Sequence, residues 1–193
     1  MQQLVQKAIY LTLVISFIMS CSDSRLDDYS DVSFELINQD GEAVIFPDDF
    51  EGAPVVVGFI YTYCPDICSF ITANVQKVYN ELDDPGEAQF VLITFDPERD
   101  TPEVLKNYAQ AFEMDRKPFH FLTGDTETID ALMQRVSVRT SVSDERTTES
   151  GDNIYFLSHS DKILLIDSNK RLVFDYGGSM TQPTFIAEDL SKL

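Results

Sequence analysis

The chain has 193 residues, 44% of them hydrophobic, enough to bury a core without disulfide staples. Its 33 acidic against 14 basic side chains give a formal charge of −19 with no basic stripe, which argues against a nucleic-acid partner, because neutralising phosphates needs cationic surface. Three cysteines and no visible internal repeat exclude a disulfide-dense scaffold and a repeat array.

The first 21 residues carry one charged side chain, Lys7, followed by an apolar run from Ala8 to Met19. A bilayer-spanning helix needs about twenty apolar residues. This shorter run after a positive start predicts the hydrophobic region of a secretory signal. It ends in Ile18-Met19-Ser20-Cys21, which resembles a bacterial lipobox. Residues 1–21 therefore read as a signal peptide ending in a lipobox cysteine, with Cys21 expected to receive the lipid and become the new N-terminus. The protein is expected to be a lipoprotein anchored to a membrane of the cell envelope and facing the periplasm or another extracytoplasmic space. Residues 22–31 are polar and read as a tether.

From residue 32 a single domain is expected to run to residue 193. Ser33 to Ile37 alternates like a half-buried strand. Val55 to Tyr61 is a continuous apolar, β-branched run, the pattern of a central strand covered on both faces. Cys68 to Leu82 has helical spacing, and Phe90 to Phe95 is a second buried strand. Asp100-Thr101-Pro102-Glu103 reads as a helix start, with a capping side chain, proline in the first turn and an acid near the positive dipole end, and the helix reaches about Phe112. A short strand follows over Phe119 to Leu122, then a helix over Glu127 to Val138 and the longest loop over residues 139–153. Ile154 to Leu157 and Ile163 to Asp167 are strands around a polar turn holding His159. Arg171 to Tyr176 is a last strand, and Pro183 opens a last helix. Strands alternating with helices before a terminal hairpin predict an α/β fold of thioredoxin-like layout. Its mixed central sheet is flanked by helices, with an N-terminal strand extension.

The chemistry concentrates in Tyr61-Thr62-Tyr63-Cys64-Pro65-Asp66-Ile67-Cys68. With Cys21 assigned to lipid, Cys64 and Cys68 remain as a pair at a strand end and a helix start. There the helix dipole and free N–H groups favour thiolates, which are both nucleophiles and soft metal ligands. Four-residue spacing sets the Cβ atoms about 5–6 Å apart in a helix. That is wide for a disulfide, whose Cβ atoms lie about 3.5–4.5 Å apart. Two sulfurs call for a third ligand. His120 falls inside a strand pattern and reads as structural, whereas His159 in its turn can reach another loop. Two sulfurs and one imidazole suit copper in either oxidation state, while zinc would want a fourth ligand. Asp96 and Arg99 fit a structural strand-to-helix turn, with Asp96 also a candidate supporting residue near the site. Of Tyr61 and Tyr63, one is expected in the core and the other on a partner-facing surface.

Four segments resemble the Sco/SenC family of thioredoxin-fold, copper-binding proteins of cytochrome c oxidase assembly. They are Thr62 to Cys68, Phe95-Asp96-Pro97-Glu98-Arg99-Asp100-Thr101-Pro102, Leu122-Thr123-Gly124 and Ser158-His159-Ser160, in family order. The resemblance implies that Cys64, Cys68 and His159 bind one copper ion, as Cu(I) or Cu(II). It implies a metallochaperone that delivers copper to the dinuclear copper-centre subunit of the oxidase, or prepares the thiols of that subunit. A copper donor and a thiol reductant are then implied as further partners. Two departures stand out: Ser69 follows the second cysteine where the family often has proline, and Ser158 precedes the histidine where it often has an acid. The second predicts weaker support for His159. The competing readings are an extracytoplasmic thiol–disulfide oxidoreductase with Cys64 and Cys68 as its catalytic redox pair and no obligatory metal, and a thiol peroxidase. Neither needs a remote histidine.

Overall fold

In a computed structural model, the structure describes residues 26–84, 86, 88–147 and 153–193. The expected leader and Cys21 lie outside them. The strands are β1 (Asp27–Asp28), β2 (Phe34–Asn38), β3 (Ala43–Phe46), β4 (Val55–Ile60), β5 (Gln89–Thr94), β6 (Phe119–Thr123), β7 (Thr140–Thr147), β8 (Asn153–His159), β9 (Ile163–Ile166) and β10 (Arg171–Tyr176). The helices are α1 (Cys68–Glu81), α2 (Pro102–Ala111), α3 (Thr126–Arg135) and α4 (Pro183–Leu190). None of the helices described is long and apolar enough to cross a membrane.

Eight strands form one mixed sheet in the order β1-β10-β9-β4-β5-β6-β2-β3. The β4, β5 and β6 strands are parallel and joined through α1 and α2, while β9 and β2 pair antiparallel on either side of them. Every residue of β4 and β9 is buried, as their unbroken apolar runs require of strands covered on both faces. Gly58 lets α1 approach β4 closely: a Cβ there would stand 3.1 Å from Ile71 Cγ2 and 3.3 Å from Val75 Cγ2. That approach brings the first turn of α1 over the C-terminal end of β4.

Two sequence expectations need correction. Residues 139–153 are not a plain loop: β7 pairs antiparallel with β8 as a two-stranded sheet of its own, from Thr140 opposite His159 to Thr147 opposite Asn153. His159 is therefore the last residue of a strand. The tether ends early, because β1 pairs with β10 and Tyr29 is 2% exposed. The capping side chain expected at the start of α2 is that of Thr101, which accepts the Val104 N–H at 3.4 Å, while Asp100 turns inward.

Candidate metal centre

The site lies where β4 runs out. Cys64 sits in the turn after β4, half-buried, and Cys68 opens α1, 1% exposed. The N-terminus of α1 has no side-chain oxygen as cap. The Cys64 sulfur fills that role, accepting the Cys68 N–H at 3.5 Å. Both thiols are free. The end of β8 delivers His159, with Nε2 3.2 Å from Cys68 Sγ and 4.0 Å from Cys64 Sγ. The three donor atoms lie within 4.8 Å of one another, close enough to share one metal ion.

The imidazole is oriented for that task. Its Nδ1 lies 2.9 Å from the Ser160 carbonyl oxygen, which can only accept, so Nδ1 carries a hydrogen and Nε2 is the ring nitrogen that faces the sulfurs. Phe95 and Tyr61 wall the ring at centroid distances of 4.6 Å and 6.1 Å. The two thiols are pushed apart electrostatically. Cys64 falls to about 4, chiefly because the Cys68 side chain hydrogen-bonds to its sulfur. Burial opposes this, and hydrogen bonding with His159 and from the N–H groups of Cys68 and Asp66 adds to it. Cys68 rises, because its thiol donates to Cys64 and is desolvated. Without metal, the pair holds a thiolate on Cys64 and a thiol on Cys68. A cleft of about 260 Å³, lined by Pro65, Asp66, Ser143 and Phe156 among others, opens onto Cys64 and His159. A groove of about 750 Å³ beside α3 also reaches His159.

A family model described as SCO1/SenC matches residues 22–193. The chain belongs to the SCO1/SenC family. It is 34% identical to an SCO2-like protein of Rickettsia prowazekii over 142 residues, 72% of this chain and 64% of that one. It is 24% identical to the SCO1 homolog of Bacillus subtilis over 183 residues, 93% and 91% of the two chains. Against the rickettsial relatives the matched region spans 63–66% of their length. Among solved structures it is similar to Bradyrhizobium japonicum ScoI with copper bound, with 30% identity and a TM-score of 0.67 over 83% of this chain and 97% of that one. A SCO1/SenC family lipoprotein from Bacillus anthracis gives 29% and 0.69 over 89% and 98%. The thioredoxin-like α/β fold expected from the sequence is the one these SCO1/SenC structures share.

Around the cluster, this SCO1/SenC domain sorts the remaining candidates. Asp96, 3% exposed, offers nothing to the donor group. Its carboxylate binds Arg99 Nε at 2.5 Å and accepts the Tyr155 hydroxyl at 2.8 Å. Tyr61 is in the core and Tyr63 is 58% exposed beside Cys64. His120 is structural: Nε2 meets Gln89 Oε1 at 3.0 Å, and burial lowers its pKa. The missing acid before His159 is replaced by the Ser160 carbonyl, a main-chain acceptor that side-chain identity does not advertise. Sequence reasoning also missed Asp100. Fully buried, it accepts Thr62 N–H at 3.0 Å, Thr62 Oγ1 at 2.5 Å and Thr94 Oγ1 at 2.6 Å, pinning the strand end from which the Cys64 turn departs. Burial raises its pKa. The inward turn of Asp100 had a signal, since Thr101, directly before Pro102, is able to cap α2.

Proposed function

We propose that this protein is an extracytoplasmic copper-binding member of its family, anchored through a lipid on Cys21. It delivers copper to the dinuclear copper centre of a cytochrome c oxidase, or readies the thiols of that centre. The observation that carries the reading is the meeting of Cys64, Cys68 and His159 within 4.8 Å. The donor set fits the cargo: thiolates stabilise Cu(I), and imidazole holds Cu(II). Copper bound to the Bradyrhizobium relative supports it, as does 34% identity to a Stutzerimonas stutzeri protein described as a putative copper-binding protein. The oxidase recipient and the lipid anchor rest on the motifs and leader read from the sequence. Cargo binding requires the reduced pair, so an external thiol reductant is part of the proposal.

The reduced protein should take up one copper ion and show thiolate-to-copper charge-transfer absorption. Removing a ligand should exceed the 10–100-fold loss typical of outer-shell partners. We expect His159→Ala to weaken binding by more than about 100-fold while the thiols stay reactive. Wild-type affinity in that variant would remove His159 from the ligand set. A second reading has its own support: a half-exposed thiolate on Cys64 beside a buried thiol on Cys68 is an attacking and resolving pair. Cys64 would open a partner disulfide, Cys68 would release the partner as a dithiol, and a Cys64–Cys68 disulfide would remain for the external reductant. Steady reduction of such a disulfide by metal-free protein, unaffected by His159→Ala, would favour it.

A further inference from the structure

Among the described residues, the β7–β8 sheet that carries His159 pairs with no strand of the main sheet: the partner of β8 is β7. The gap between the imidazole and the sulfurs is therefore set by whatever fastens β8 to the body of the domain. The Tyr61 hydroxyl is one fastening, taking Leu157 N–H at 3.1 Å and donating to Leu157 O at 3.3 Å. Arg99 is another, built differently. Its Nη1 donates to Tyr155 O at 2.8 Å, and its guanidinium carbon lies 3.6 Å from the centroid of the Tyr155 ring. The same plane stands 5.1 Å from the ring centroid of Tyr63, the neighbour of Cys64. Asp96 Oδ2 accepts the Arg99 Nε–H at 2.5 Å and stands at ion-pair distance from Nη2, and the other oxygen takes the Tyr155 hydroxyl. One ion pair, its carboxylate buried and its guanidinium half-buried, thus touches the strand of the histidine and the residue next to the first cysteine.

We propose that Arg99, locked by Asp96, is a positioning residue that holds β8 so that His159 Nε2 faces the cysteine pair. The proposal rests on the copper-site reading above. The side chain has to be arginine, because one planar group must donate along its edge to a carbonyl and a carboxylate while its face stacks on aromatic rings. Lysine keeps the charge and loses both.

The experiment uses the full chain and copper alone as probe. In copper-free protein, Arg99→Ala should raise amide exchange of Leu157 and His159 at least about tenfold while β4 amides hold. With copper, Arg99→Ala should weaken binding about 10–100-fold. It should diminish the imidazole-nitrogen signal in the Cu(II) magnetic resonance spectrum and leave thiolate charge-transfer absorption in place. Arg99→Lys should fail to rescue. Tyr155→Phe, which keeps the ring and loses the hydroxyl, should fall between wild type and Arg99→Ala. In combination with His159→Ala, Arg99→Ala should add no further loss, since it acts through a ligand already gone. Additive losses, rescue by lysine or unchanged amide exchange would each overturn the role of Arg99. Unchanged copper binding in His159→Ala, with amide exchange still rising in Arg99→Ala, would instead sink the ligand assignment and leave Arg99 as a fastening of the hairpin alone.

Discussion

Cys64 and Cys68 are the same residue type four positions apart, yet the fold gives them opposite tasks. The Cys64 sulfur lies over the N-terminus of α1 and accepts the Cys68 N–H, while Cys68 is sealed beneath it. Because the pKa of Cys64 is lowered from 9.0 to about 4, its thiolate is populated at every pH well above 4 and is lost only as pH falls through that value. An ordinary thiol gains about tenfold in thiolate per pH unit up to its pKa of about 8.5. Alkylation of Cys64 in the reduced, metal-free protein should therefore be nearly flat from about pH 6 to 8, with Cys68 protected, as read by mass spectrometry of the labelled peptides. A rate that climbs tenfold per unit over that window would show an ordinary thiol. At this scale the sequence was legible where chemistry is local: the cysteines, the strand end and the helix start are contiguous. His159, the proposed third ligand, lies 95 residues from Cys64 and emerged only through elimination and family motifs. The Ser160 carbonyl that orients it was not legible at all, since every residue has one.

Among the elements, legibility followed apolar patterning. The runs forming β4, β5 and β9 and the spacing of α1 gave them away because their side chains meet the core. The β7–β8 pair escaped notice because almost every residue of β7 is exposed, and a strand solvated on both faces carries no period-two signal. The close approach of α1 to β4 offers a test at this scale. At Gly58 the neighbours of an added Cβ, Ile71 and Val75, are themselves fully buried, so the helix has to move outward by a few tenths of an ångström. Overpacking of this kind costs about 1–3 kcal/mol. Gly58→Ala should lower the denaturant midpoint with no change in the slope of the transition. A midpoint equal to wild type would mean that α1 gives way freely and that glycine is not what seats Cys68.

For the molecule as a whole, the entry of the chain into the domain is a built feature. The Leu26 N–H donates to Leu172 O at 2.8 Å and Tyr29 N–H to Lys170 O at 2.9 Å, placing the segment along the open edge of β10. Arg135 at the end of α3 clasps it, pairing with Asp27, donating to Asp28 O at 2.6 Å and standing 4.7 Å over the Tyr29 ring. The polar composition of residues 22–31 concealed this, because both partners, β10 and α3, lie more than a hundred residues further on. Under the anchored reading this segment is where the lipid-bearing end meets the folded body, so load on the anchor passes to an edge strand and away from the site. From β1 to β4 is three strand spacings, roughly 14 Å at 4.7–4.9 Å each. Tyr29→Ala removes a buried aromatic from this clasp and should cost about 3 kcal/mol, within the range for large-to-small core changes. Chemical denaturation would read that loss, and the copper charge-transfer spectrum of the folded variant should match wild type. A changed spectrum would mean that the edge and the site are coupled across the sheet. An unmoved midpoint would mean that the segment rests on the domain without stabilising it.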